Sequence, residues 1–236
     1  MNSNQDTEKT RITSFDRYRL ESGLRVLIVT AVPEEREAVL RGLRSDPRFA
    51  VMAAGVGAVA TAVKTAKVLA NSEYNLVVSA GIGGGFPGRA EVGSLVVANK
   101  IVAADLGAET QEGFCSLDEL GLGVTSMEVD AGLANRVIEG FLEAELPVNM
   151  GPVLTVSTVT GTAARAAELA ARVPGATAEA MEGYGAALAA QDRGVPMLEI
   201  RAISNLVGPR DRSAWRIKEA LNVLEAASLV LSEVLP

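Results

Sequence analysis

The chain alternates between short, almost wholly apolar runs and longer stretches whose apolar residues recur every third or fourth position. RVLIVTA (25–31) is such a run, β-branched and apolar throughout, and predicts a strand buried on both faces. VPEEREAVLRGLR follows as a helix: Pro33 suits its first turn, and Glu34 and Glu35 suit its positive end. FAVMAAGVG (49–57) predicts a strand closing on a glycine turn, and VGAVATAVKTAKVLA (56–70) an alanine-rich helix. YNLVVSAG (74–81) is the next buried strand; it runs into GIGGGFPGRAEVG, which reads as a glycine-rich loop. SLVVANKIVAAD (94–105) predicts a strand, and residues 106–128, rich in glycine and acids, an irregular segment. The remainder predicts a helix over 130–146, a strand over 151–161 and a helix over 162–173 stopped by Pro174-Gly175. A short strand over 177–181, a small-residue helix over 183–194, a last core strand over 195–204 and an amphipathic helix over 215–235 complete it.

Strands and helices alternate from end to end. That order predicts a three-layer α/β/α sandwich around a mixed, largely parallel twisted sheet. No linker or repeat divides it, so residues 25–236 are expected to form a single domain. Residues 1–24 are polar and charged and predict a flexible extension; they lack the apolar centre of a signal peptide. No later run is long and apolar enough to span a membrane.

Composition narrows the chemistry. Hydrophobic residues make up 48% of the chain and aromatics only 4%, so the core must be built from Ala, Val and Leu. The net charge is −7 and the basic residues are scattered, which argues against nucleic acid or an anionic membrane and for a small ligand. Cys115 is the sole cysteine, which rules out an intrachain disulfide and suits a reducing, cytoplasmic setting. The chain has no histidine. Histidine-based triads, proton shuttles and histidine metal sites are excluded with it, and one Cys without His argues against a zinc site. Acid–base work falls to carboxylates, Lys, Tyr or polarised water, and no metal or organic cofactor is expected.

The glycine-rich stretch does not make a dinucleotide cradle. Gly81 and Gly83 fit the fingerprint, but Phe86 takes the place of the third glycine and a further strand follows instead of a helix. A strand end where backbone touches a ligand fits better, because open α/β sheets bind ligands at the carboxyl ends of their strands. The same rule gathers Glu34, Glu35 and Glu37 after the first strand, Val56 and Gly57 after the second, and Ile82 and Gly83 after the third. Val159 and Thr160, Met181 and Glu182, and Ser204 and Asn205 follow later ones. Each alone has an ordinary explanation: an early-helix Glu favours the dipole, and Asn is a turn former. Glu179 and Glu182 are harder to dismiss, since they sit among Ala and Gly, and a partly buried carboxylate must find donors. A sugar diol supplies two.

The ordered set VPEE, AAGVG, SAGIGGGF with VGSLVVA, TVSTVTGT, AEAMEGYGAA and IRAISNLVG resembles the purine nucleoside phosphorylase and nucleosidase superfamily over about residues 25–235. Within it the pattern is most similar to the futalosine hydrolases, then to the methylthioadenosine/adenosylhomocysteine nucleosidases. The resemblance implies that Glu35 activates the attacking water, with Glu37 as a second possible register. It implies that Met181 and Glu182 hold the ribose, that Ile82 and Gly83 lie beside base and sugar, and that Val159 and Thr160 stack on the base. Val56 and Ser204 join them as substrate neighbours, and Asn205 matches the purine-reading position, which is Asp in the adenine-specific relatives. A homo-oligomer is implied as well, with residues 106–128 near a subunit interface.

Asn205 carries the discrimination. An amide can donate to one atom of a 6-oxopurine and accept from another, whereas an ionised Asp only accepts. Hypoxanthine, the base of futalosine, presents both. The loop Val207–Trp215 offers Arg210 or Arg212 for the carboxylate and Trp215 for the ring of the carboxyphenyl group at the sugar's 5′ end. An ordinary surface cluster of Arg210, Asp211 and Arg212 with Trp215 anchoring the last helix is the other reading. Phosphorolysis of 6-oxopurine nucleosides, adenine nucleoside hydrolysis and a purine-binding module without catalysis stand as alternatives. Two carboxylates in the first loop favour water over a phosphate dianion as the attacking group.

Overall fold

The computed structural model describes residues 23–235. The extension expected over 1–24 lies outside the described residues except for its last two, and of these Leu24 is buried in the core.

The chain runs β1 (Val26–Thr30), α1 (Pro33–Leu43), β2 (Phe49–Ala53), α2 (Ala58–Asn71), β3 (Leu76–Gly85), β4 (Leu95–Ala103), β5 (Gly107–Thr110), β6 (Gly113–Ser116) and β7 (Ser126–Glu128). It continues with α3 (Ala131–Glu143), β8 (Val148–Thr155), α4 (Ala163–Arg172), β9 (Ala178–Ala180), α5 (Gly183–Asp192), β10 (Met197–Leu206), a 3₁₀ turn (Arg212–Ala214) and α6 (Ile217–Val234). Apolar alternation along the strands feeds two layers. Val26 and Ile28 of β1 pack with Ala38, Val39 and Leu43 of α1 and with the buried faces of α3 and α6. Leu27 and Val29 point the other way, into Leu69 of α2 and Ala186 and Ala190 of α5. That is the expected three-layer sandwich, and its small residues let the helices lie close to the sheet.

The sheet is mixed. β2, β1, β3 and β10 pair in parallel, as do β4, β8 and β9. β10 joins the two groups antiparallel through β4, and β9 returns antiparallel onto Gly84 and Gly85 of β3. Five strands therefore close a ring, β3–β10–β4–β8–β9, from which β1 and β2 extend as an arm.

Three expectations need correction. The GIGGGF stretch is not a loop: β3 runs through Gly85, because β10 pairs with it from Val77 to the end. Residues 106–128 are not irregular throughout: β5 and β6 form a hairpin, and β7 pairs with β4. The strand expected over 151–161 starts at Val148 and ends at Thr155, so Val159 and Thr160 lie in the loop beyond it. Among the described residues no helix is long and apolar enough to cross a membrane.

Phe141, fully buried where α3 meets the sheet, should be the costliest single aromatic deletion. Phe141→Ala should destabilise the fold by ~3–5 kcal/mol in urea unfolding, the usual cost of such a cavity.

Candidate active site

β3 has two different neighbours along one edge. β1 pairs with it up to Ser79, and β9 takes over at Gly84. Between them the edge is open, and its backbone N–H groups need other partners. Glu35 fills the gap. Its Oε1 accepts from Ile82 N at 2.9 Å, while Oε2 accepts from Ala31 N at 2.8 Å and Val32 N at 3.3 Å. The residue is the third of α1, where a carboxylate also faces the helix's positive end. It is 3% exposed. Burial pushes its carboxyl above the usual range, against the pull of the Ile82 N–H and of Arg201. A carboxylate offers about four lone-pair directions, so three backbone contacts leave one for a proton.

The register of β10 on β3 builds the rest. Glu199 lies opposite Ser79 and Arg201 opposite Gly81. Arg201 is 1% exposed. It donates through Nε to Glu199 Oε1 at 2.9 Å and through Nη2 to Ser79 Oγ at 2.7 Å, and its Nη1 stands 3.6 Å from Glu182 Oε2. Burial alone would depress this guanidinium, but Glu199, Glu182 and Glu35 hold it firmly protonated. Gly81 makes the arrangement possible: a Cβ there would sit 2.6 Å from Glu35 Oε1 and 2.8 Å from Arg201 Nη1.

Glu182 ends the β9–α5 turn, buried, with Oε1 accepting from Gly57 N at 3.1 Å and Oε2 from Met181 N at 3.3 Å. Glu179 faces the loop after β8, accepting from Thr160 N at 2.9 Å and from the Thr160 hydroxyl. Burial raises its carboxyl. Its partner is thus protein, and it pins the loop that carries Val159. At the end of β10 the register slips by one residue between Ile203 and Asn205. This bulge at Ser204 turns both Ser204 and Asn205 toward the cleft, as bulges beside functional sites do. Asn205 Oδ1 accepts from Ser204 Oγ at 2.8 Å and its Nδ2 donates to Leu206 O at 3.0 Å, leaving one lone pair and one N–H for a ligand.

These residues enclose a cleft of about 360 Å³. Glu35, Val56, Ile82, Gly83, Val159, Thr160, Met181, Glu182, Ser204, Asn205, Arg210 and Trp215 all line it. Four residues singled out from sequence, Glu34, Glu37, Gly57 and Arg212, do not. Glu37 is 56% exposed at its side chain and pairs with Arg36 at 2.7 Å, so Glu35 is the one of the two carboxylates that faces the cleft. Arg212 lies outside, its guanidinium 6.0 Å from the Trp215 ring, whereas that of Arg210 is 5.0 Å from the same ring. Sequence reasoning missed Arg201, Glu199 and Ser79. The signal was present in LEIRA, where two opposite charges alternate with apolar residues inside a core strand. A larger cavity of about 590 Å³, near Phe114 and Arg172, gathers none of the candidate residues. Among the described residues no set of side chains is assembled that would ligate a metal.

The arrangement can activate a water at Glu35, hold a diol at Glu182 and grip a heterocycle at Asn205. Comparison with known proteins places such a cleft in context. Residues 22–235 match the model of the Phosphorylase superfamily. A futalosine hydrolase from Streptomyces coelicolor is 49% identical over 232 residues, covering 90% of this chain and 97% of that protein. One from Acidothermus cellulolyticus is 44% identical over 218 residues, covering 87% and 89%. Among solved structures, the 5′-methylthioadenosine/S-adenosylhomocysteine nucleosidase of Neisseria meningitidis, in complex with methylthio-immucillin-A, superposes with a TM-score of 0.76 at 18% identity, covering 89% of this chain and 98% of that one.

Gly81→Ala tests the packing of the centre. The added methyl would displace Glu35 and Arg201, and a shift of about 1 Å at a reacting group costs roughly 10²-fold in turnover. Base-release rates should fall by that order while far-ultraviolet circular dichroism stays native.

Proposed function

Because the chain belongs to the phosphorylase superfamily, and within it to the futalosine hydrolases, we propose that it cleaves the N-glycosidic bond of futalosine with water. The enzyme is an N-glycosyl hydrolase of the nucleosidase kind. Its products are hypoxanthine and dehypoxanthine futalosine, an intermediate on the futalosine route to menaquinone. The observation that carries this reading is Glu35: a buried carboxylate, raised in proton affinity, with one lone pair open to the cleft.

The geometry supports the following mechanism. Cleavage develops positive charge on the ribose and negative charge on the departing purine, as in glycoside hydrolysis. Glu182, held by Gly57 and Met181 N–H groups, accepts from the ribose hydroxyls and faces the developing cation. Met181, Ile82 and Gly83 pack against the sugar, with Val56 lining the same cleft. Val159, carried by the loop that Thr160 anchors to Glu179, covers the base. Asn205 donates its free N–H to O6, where the negative charge of the leaving purine gathers, and its Oδ1 accepts from N7 once solvent water has protonated that nitrogen, with Ser204 fixing the amide. Glu35 takes the proton of the water that adds to the anomeric carbon. Trp215 and Arg210 suit the aromatic and the carboxylate of the 5′ group. Arg212, outside the cleft, is left to the surface.

Hydrolysis fits better than phosphorolysis. Glu35, Glu179 and Glu182 line the cleft against the single cation Arg210, and a phosphate dianion placed among them would be repelled. A second copy of the chain completes the assembly in this reading. Val56 lines the cleft, and Val59 and Val63 of α2 follow it in the chain, all three exposed, Val59 by 81%; a homo-oligomer would cover these apolar side chains. The sole cysteine, Cys115, suits the reducing cytoplasm.

Futalosine, inosine and methylthioadenosine should be supplied separately without phosphate, and the released bases followed by chromatography. Hypoxanthine from futalosine is expected; release that waits for added phosphate would overturn hydrolysis. Asn205→Asp should lose ~10²–10³-fold on futalosine, the usual cost of removing a transition-state donor, and unchanged hypoxanthine release would sink its assigned role.

A further inference from the structure

One buried carboxylate has no part in the cleavage described above. Glu199 is fully buried and does not line the cleft. Its Oε1 receives both Nε and Nη2 of Arg201 at 2.9 Å. Among the described residues its Oε2 has no hydrogen-bond partner. That bare oxygen packs against the first residue of α5, so closely that a Cβ on Gly183 would collide with it. Burial holds the Glu199 carboxyl above its usual range, against the pull of Arg201. A fully buried, half-satisfied carboxylate is costly, and replacing a buried ion pair by apolar residues is often neutral or stabilising. Its presence calls for a reason other than stability.

The surrounding charges suggest one. Among the described residues, those acting on Arg201 are Glu199 on the same strand, Glu182 at the start of α5 and Glu35 on α1; Ser79 of β3 is an uncharged partner. Glu199 and Ser79 take Nε and Nη2, and only Nη1 turns toward Glu182 and the Gly81 side where Glu35 lies. An arginine beside a carboxylate ordinarily makes it a weak base. A general base works best when its proton affinity lies near the working pH.

We propose that Glu199 is a positioning residue for hydrolysis: it fixes the Arg201 guanidinium with only Nη1 toward the cleft, and offsets its charge so that Glu35 keeps the proton affinity of a general base. Glu199 acts ionised, with the positive end of α5 as the compensation for its bare oxygen. The inference rests on Glu35 being the base.

The test is the pH dependence of futalosine cleavage by the wild type and by Glu199→Gln, Glu199→Asp and Glu35→Gln, with folding checked by thermal unfolding. Activity falls as pH drops through the Glu35 value, because the base must be ionised. In Glu199→Gln the undivided Arg201 charge lowers that value. The acid limb of kcat/KM should therefore move down by about one pH unit or more, the usual effect of an adjacent opposite charge, with a lower plateau and a little-changed KM. Glu199→Asp, which keeps the charge, should bring the limb back toward wild type. An acid limb that stays in place in a folded Glu199→Gln overturns the proposal, provided Glu35→Gln is inactive. Turnover by Glu35→Gln overturns instead the reading of the base. If Glu199→Gln does not fold, ¹³C-carboxyl NMR titration of the wild type decides, with Glu35 assigned by its Gln variant. Glu199 should stay ionised while Glu35 titrates; a proton resting on Glu199 while Glu35 is ionised overturns the proposal.

Discussion

A single buried guanidinium organises the centre of this protein. Arg201 could not be buried alone, since an unpaired charge in the interior costs several kcal/mol. Its partners come from four separate elements: Glu199 from its own strand, Ser79 from β3, Glu182 from the start of α5 and Glu35 from α1. The dependence is mutual. Three carboxylates gathered at one end of a sheet would repel one another without the cation, and the cation would be stranded without them. One side chain therefore ties two strands of the closed ring to the two helices that face the cleft.

The cleft lies where the sheet is least regular. β3 changes partners along one edge, from β1 to β9, and the interval leaves the Ile82 N–H free for Glu35. On the opposite edge a bulge at Ser204 brings two successive side chains to the same cavity. Divergence of neighbouring strands is where open α/β sheets place ligands. Here it also supplies the base with its hydrogen-bond donors, so the feature that opens the pocket is the one that orders its carboxylate.

The alternation of apolar runs made the layered fold legible, and placement at strand ends picked out ten of the eighteen residues that line the cleft. The glycines misled because composition signals a loop, whereas β10 pairs with that run along its whole length and keeps it in the sheet. Residues 106–128 misled because a two-stranded hairpin such as β5–β6 needs little apolar patterning. Glu35 and Glu37 were not separable from spacing alone; burial among backbone donors separates them. Arg201 and Glu199 escaped notice because strand periodicity gives their face but not their partners, and those partners lie far away in the chain.

Charge decides which attacking group the cleft suits. Arg201 is committed to carboxylates behind the wall, and Arg210 lies over the Trp215 ring at the rim. Neither is free to neutralise a dianion at the floor. A neutral water brings no such demand, and the proton it must lose has an acceptor in Glu35. The ribose gains positive charge as its bond to the base breaks, and Glu182 already faces that position on the proposed reading. The same carboxylates that would repel a phosphate therefore stabilise the transition state of hydrolysis, and their low-dielectric surroundings strengthen both effects together.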